Sequence, residues 1–175
     1  MKTPKHSRGL TLVELMTTAG VAALTLTLGV PSFQKALTSV QRDHVTSELS
    51  ATMLLARSEA LRRGATVTVC PSSDGVTCIT NGSSDWGLGW MLFTDLDGDL
   101  VLDGGTDDRI QRVQFARAGF TLTSQSAIAR GVRFDATGLP SATGRYRYCD
   151  KEESRELALS YVGRIERVHT GPGCP

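Results

Sequence analysis

Glu14 is the only charged residue between Leu10 and Val30, a stretch of twenty-one residues. If that stretch enters a bilayer, its carboxylate costs a few kcal/mol, so it is read as a functional group that needs a cationic partner. Three other sets of side chains have types and spacing that could do chemistry. Cys70, Cys78, Cys149 and Cys174 are disulfide candidates with three pairings open, which spacing does not decide between. No CxxC pair occurs and His169 is the only histidine downstream of Cys70, so no zinc or other metal site is expected of these cysteines. Asp95, Asp97 and Asp99 alternate like the opening of a calcium loop. That loop needs Gly at its sixth position and an acid at its twelfth, where this chain has Leu100 and Thr106, and a solvated Asp/Gly turn over 95–109 is expected instead. Arg109, Arg112, Arg117, Arg130 and Arg133 then precede any further acid. The acidic loop beside basic strands is either an electrostatic subunit contact or simply a solvated face. His6, His44 and His169 are scattered over start, middle and tail, and no G-x-S-x-G, P-loop or H-E-x-x-H motif is present. No enzyme activity and no cofactor are expected.

The elements that must position these groups begin with residues 1–9, which carry Lys2, Lys5 and Arg8 and no acid. As a helix at ~1.5 Å per residue, 10–30 spans ~30 Å, the thickness of a hydrocarbon core. The basic flank is expected to stay in the cytoplasm while the rest of the chain is exported. A cleaved secretory signal fits less well, because the apolar stretch is long and helix-like sequence, not a small-residue cleavage box, follows Pro31. Pro31 should kink the helix without ending it, since an amphipathic stripe resumes at Val45, Leu49, Met53, Ala56 and Ala60. Arg62, Arg63 and Gly64 read as a C-terminus, with cations on the negative end of the dipole and Gly in the capping position. The whole helix would be roughly 80 Å long.

After Gly64 the hydrophobic period changes to two. TVTVC (66–70), WMLFT (90–94), IQRVQF (110–115), FTLT (120–123), VRFD (132–135), RYRYC (145–149), ELALSY (156–161) and RIERV (164–168) are short strand-like stretches separated by Gly, Ser, Asp and Pro. The fold class is α+β: a long N-terminal helix, membrane-spanning in its first half, with an antiparallel β domain (64–175) packed on its amphipathic continuation (31–63). Removing the three cations of 1–9 leaves sixteen basic against eighteen acidic residues, about −2, so no global charge draws the chain toward nucleic acid.

Arg8-Gly9 followed by LTLVELM resembles the class III signal of type IV prepilins and type II secretion pseudopilins. The resemblance implies that 1–9 is a leader peptide, that a prepilin peptidase cuts between Gly9 and Leu10, and that Leu10 becomes the N-methylated first residue. Family members usually carry Phe there. It further implies that Glu14, fifth in the mature chain, pairs with the new α-amino group of a neighbouring subunit. The stretches ARSEALRRGATVTVCPS, WGLGWMLFTDLDGD and VGRIER are similar to the family joining H-type pseudopilins (GspH) with the minor pilins FimT and FimU. That family implies a β-sheet packed on the second half of the helix, and a low-abundance subunit that helps start or cap a filament. Its partners would be other major and minor pilins or pseudopilins, and its site the inner membrane, with the globular part periplasmic and later at a filament tip. In such a compartment disulfides are the default. The favoured pairing is Cys70 with Cys78, closing a small loop, and Cys149 with Cys174, which resembles the tail disulfide of several minor pilins.

Three roles compete within that family: pilus assembly, DNA uptake in transformation, and type II secretion, in that order of preference here. DNA-binding members carry a Gly-Arg-x-Arg tail motif. The tail here reads Gly163-Arg164-Ile165-Glu166-Arg167, one residue longer and with an acid that repels phosphate. In a regular strand Arg164 and Arg167 would point to opposite faces. Gly144-Arg145-Tyr146-Arg147 matches the letters earlier in the chain, with both arginines on one face and tyrosines opposite. DNA is therefore a candidate partner through Arg145, Arg147, Arg164 and Arg167.

Overall fold

The computed structural model describes residues 9, 11–81, 85–105, 108–114 and 119–174. One helix, α1, runs Leu12–Arg63 and continues through Pro31, where the missing amide removes one hydrogen bond without ending the helix. The chain divides into two compact units, Met1–Gln41 and Arg42–Pro175.

In the first unit every described residue from Thr11 to Thr27 is exposed. Mean hydropathy reaches 1.6 over an 18-residue window, and the helix is long and apolar enough to cross a membrane. Four of its threonine hydroxyls are satisfied within the helix. Thr17 donates to the Glu14 carbonyl at 3.0 Å, Thr18 to Leu15 at 3.0 Å, Thr25 to Ala22 at 2.9 Å and Thr27 to Leu24 at 2.8 Å. These donors therefore need no water, a condition any segment in hydrocarbon must meet.

In the second unit the helix presents Val45, Leu49, Met53, Ala56 and Ala60, all fully buried. Among the described residues eight strands follow: β1 (Val67–Pro71), β2 (Gly89–Thr94), β3 (Arg109–Gln114), β4 (Phe120–Ser124), β5 (Val132–Phe134), β6 (Gly144–Asp150), β7 (Glu153–Leu159) and β8 (Ile165–Pro172). They form two four-stranded sheets, ordered β3-β2-β1-β5 and β4-β6-β7-β8, with antiparallel pairing throughout. The helix stripe, Val67, Val69 and Leu92 of the first sheet and Tyr146, Tyr148, Leu157 and Leu159 of the second share one core. Trp86 joins the two sheets there. Its ring lies 6.4 Å from that of Trp90 on β2 and 5.0 Å, edge-on, from that of Tyr146 on β6. Aromatic pairs at such distances add to the 1.5–3 kcal/mol that each large buried side chain contributes.

β1 and β2 are buried on both faces. Cys70, Met91 and Phe93 form a second small core capped by Cys78 and Leu102, so the loops after β1 and β2 cover the outward side of the first sheet. The helix ends as its sequence indicates. Gly64 takes φ 62°, and its amide bonds the Ala60 carbonyl at 2.9 Å, a left-handed cap that a side chain would strain.

Candidate functional site

Gly9 is exposed with open space around it; Leu10 lies outside the described residues. Thr11 caps α1, its hydroxyl accepting the Glu14 amide at 3.2 Å, which makes Glu14 the third residue of the helix. Thr-x-x-Glu is a helix-start signal in its own right, and reading Glu14 only as a membrane carboxylate passes over it. A carboxylate there faces the positive end of the helix dipole, worth about 0.3–1 kcal/mol, which offsets part of its cost in an apolar segment. The exposed carboxylate remains available to a cation from outside the chain.

The four arginines singled out from sequence do not converge. Arg145 and Arg147 are exposed on β6, while Tyr146 and Tyr148, which alternate with them, are buried. Both arginines therefore lie on the outward face of the second sheet. Arg147 pairs in register with Glu156, and Arg145 with Ala158. The Arg145 guanidinium reaches Glu156 at 3.3 Å. Arg164 precedes β8 in a turn, its carbonyl accepting the Ser160 amide at 2.9 Å, and its guanidinium pairs with Glu166 at 2.8 Å. Arg167 is directly opposite Leu157, and the register shifts between Glu156 and Leu157. Arg167 therefore shares the Leu157 side of the sheet and lines a groove with Thr46, Ser47 and Ser50 of α1. Arg167 is therefore on the opposite side of the second sheet from Arg145 and Arg147, and acids answer two of the four arginines.

Asp95, Asp97 and Asp99 bring their carboxylate oxygens within 4.8 Å of one another. Asp95 is fully buried, and its oxygens accept the Thr68 hydroxyl at 2.6 Å and the Gly98 amide at 2.9 Å. Asp97 accepts the Asp99 amide at 3.3 Å, and Asp99 accepts the Val101 amide at 2.7 Å. Leu100 is left-handed at φ 67°. The carboxylates shape a turn, as side chains of this type do. Neighbouring arginines reach backbone oxygens in this layer: Arg109 bonds the Gly75 carbonyl at 3.1 Å, and Arg133 bonds that of Gly98. Thr106 and Arg117 lie outside the described residues.

Cys70 is joined to Cys78 and Cys149 to Cys174, with Cα atoms 5.6 and 5.8 Å apart. Inside the first loop Asp74 accepts the Val76 and Thr77 amides at 2.8 Å each. The Thr77 amide leads in holding its carboxyl well below the usual range. Beside the second disulfide lies a polar cluster that sequence reasoning missed. Arg42 donates to both oxygens of Asp150, Nε to Oδ2 at 2.9 Å and Nη2 to Oδ1 at 3.1 Å, and to Glu153 at 2.9 Å. Arg155 bonds Glu153 at 2.6 Å and also Asp43. The Arg42 and Asp150 side chains are 7% and 1% exposed. Burial alone would raise the Asp150 carboxyl, but the Arg42 guanidinium and the amides of Glu153 and Glu152 outweigh it and hold the group below its ordinary value. Only the alternation of charge in 150–155 hints at this cluster in the sequence.

Residues 45–163 match the family described as Type II transport protein GspH. Among solved structures the chain is similar to the type IV minor pilin FimU of Pseudomonas aeruginosa strain PAO1 in two crystal forms. The P21 form gives 22% identity and a TM-score of 0.54, covering 77% of this chain and 98% of FimU. The P65 form gives 21% identity and 0.50, covering 74% and 96%. No curated protein sequence gives a significant match. With more than half its length matched and the helix-plus-two-sheet architecture in place, the chain belongs to the GspH family.

Proposed function

We propose that the chain is a minor pilin or pseudopilin, a structural subunit that helps initiate or cap a type IV pilus-type filament. The observation that carries this reading is one helix holding two unlike halves. Its first part is exposed, apolar and marked by a single carboxylate at its start, and its last part is the core of a GspH-family domain. On this reading the prepilin peptidase cuts between Gly9 and Leu10, Leu10 is N-methylated, and the helix anchors the chain in the bacterial inner membrane. The N-terminus is cytoplasmic and the β domain periplasmic until the subunit enters the filament. The Glu14 carboxylate then pairs with the α-amino group of a neighbouring pilin, an opposite charge that makes its burial tolerable. Type II secretion is supported by the family description. DNA uptake has only the outward placement of Arg145 and Arg147 in its favour.

A strain carrying Glu14→Val as its only copy tests the reading. The variant should insert in the membrane as well as wild type yet fail to enter sheared surface filaments, with pilus number reduced. Normal pilus number and incorporation would contradict the reading. Loss of protein secretion with normal piliation would select the type II system, and loss of transformation alone would select DNA uptake.

A further inference from the structure

Asp150 holds two structures at once. Its carboxylate takes both hydrogen bonds from Arg42, the first residue of the second compact unit. Its carbonyl takes the amide of Cys174 at 2.9 Å, and its chain neighbour Cys149 is the other half of that disulfide. The tail packs so closely that a Cβ on Gly173 would lie 2.2 Å from the Lys151 carbonyl oxygen and 2.7 Å from that of Asp150. The Glu152 and Glu153 amides each bond the same Asp150 oxygen at 2.8 Å, so the turn cannot shift without moving the carboxylate that Arg42 grips. Cys149, Cys174, Asp150 and Lys151 border an open groove of about 320 Å³.

We propose that the Cys149–Cys174 disulfide is a redox-sensitive latch on helix α1, coupled through Asp150 to the seating of Arg42. With the disulfide formed, the tail holds the β6–β7 turn in the shape that presents Asp150 to Arg42. When a dithiol reduces it, two electrons and two protons pass to Cys149 and Cys174, the S–S bond between them breaks into two thiols, and the dithiol closes into its own disulfide. The tail then loses its covalent tie, the turn loosens, and the helix turns around Arg42 loosen with it. Coupling between sites is reciprocal, so weakening the Arg42 grip must make this disulfide easier to reduce. Five groups form the cluster around Asp150: Arg42 and Asp43 on α1, and Glu153 and Arg155 on β7 with Asp150 itself at the end of β6. Cys70–Cys78 has no part in it, which supplies an internal control.

The test uses the full chain in detergent, equilibrated against mixtures of reduced and oxidised dithiothreitol, with each disulfide quantified by alkylation and peptide mass. Arg42→Lys keeps the charge but loses the planar two-bond grip. It should shift the Cys149–Cys174 equilibrium toward the thiols by about fivefold or more and leave Cys70–Cys78 within about twofold. In the other direction, Cys149→Ser with Cys174→Ser should speed amide exchange at 43–50 by about fivefold or more relative to 53–60. An equal shift in both disulfides would mean general destabilisation and would overturn the proposal. So would an unchanged Cys149–Cys174 equilibrium, or unchanged exchange at 43–50.

Discussion

Arg42 and Asp150, 108 residues apart in sequence, meet in two parallel hydrogen bonds of 2.9 and 3.1 Å inside a nearly dry pocket. The planar fork of a guanidinium matches a carboxylate in this geometry. The pair fastens α1 to the β6–β7 turn at the residue where the compact unit begins. Two buried charges that satisfy each other add little net stability, but separating them is expensive because the survivor stays buried alone.

Arg42→Met should therefore lower the unfolding free energy by about 3–5 kcal/mol, while Arg42→Met combined with Asp150→Leu should recover most of the loss. Urea unfolding followed by fluorescence of the buried Trp86 and Trp90 checks both. A double variant no better than the single one would show that the pair is not the unit that matters.

The same cluster sets a pH dependence. The Asp150 and Asp43 carboxyls are held below their ordinary values in the folded chain, the former by Arg42 and nearby amides against the cost of burial, the latter chiefly by the Arg155 hydrogen bond. A carboxyl depressed on folding stabilises fully above its unfolded value of about 3.9 and loses that contribution as pH falls through the folded value. Urea midpoints should be flat between pH 6 and 8 as far as these groups are concerned, and fall below about pH 4. Asp150→Asn should fall less steeply there than wild type.

Much of this architecture was legible in the sequence because it is periodic. Val45, Leu49, Met53, Ala56 and Ala60 lie on one helix face by spacing alone, and all are buried. The alternation Arg145-Tyr146-Arg147-Tyr148 placed the arginines outward and the tyrosines inward. Each of the eight strand-like stretches overlaps a strand, with Phe115 outside the described residues, whereas their division between two sheets depends on long-range pairing that no local pattern encodes. Arg167 takes the Leu157 side and Glu166 the Ala158 side by the plain alternation of Ile165, Glu166 and Arg167, because the register shift falls beyond Arg167, before His169. The Arg42–Asp150 contact was hidden: a charged residue on an amphipathic helix ordinarily faces water, and nothing near Arg42 in sequence names its partner. Thr11, by contrast, was readable from the Thr-x-x-Glu spacing.

Two glycines separate backbone strain from lack of space. Gly64→Ala has room around it but forces a side chain into left-handed backbone at φ 62°, so it should cost about 1–2 kcal/mol and leave both disulfides formed. Gly173→Ala drives a Cβ into backbone oxygen and should expose Cys149 and Cys174 to alkylation in a fraction of the chains. Equal thiol reactivity in the two variants would contradict this packing of the tail.

DNA binding should be weak. Glu156 and Glu166 answer Arg145 and Arg164, leaving few cations on any one face to release counterions from a duplex. Affinity for duplex DNA at ~150 mM salt should be on the order of micromolar or weaker. Tight, salt-sensitive mobility shifts abolished by Arg145→Ala with Arg147→Ala would assign the outward face of the second sheet to nucleic acid. Abolition by Arg164→Ala with Arg167→Ala would assign it to the tail instead.

The most direct test of the filament-subunit reading is the mass of the N-terminal peptide of the chain isolated from membranes of its own cells. The reading requires a chain that starts at Leu10 with one added methyl group on its α-amino nitrogen, and a Gly9→Val variant that retains residues 1–9. A wild-type chain that keeps its first nine residues, or one cut beyond Glu14, would leave no amine beside the carboxylate for a neighbouring subunit to use and would contradict the reading.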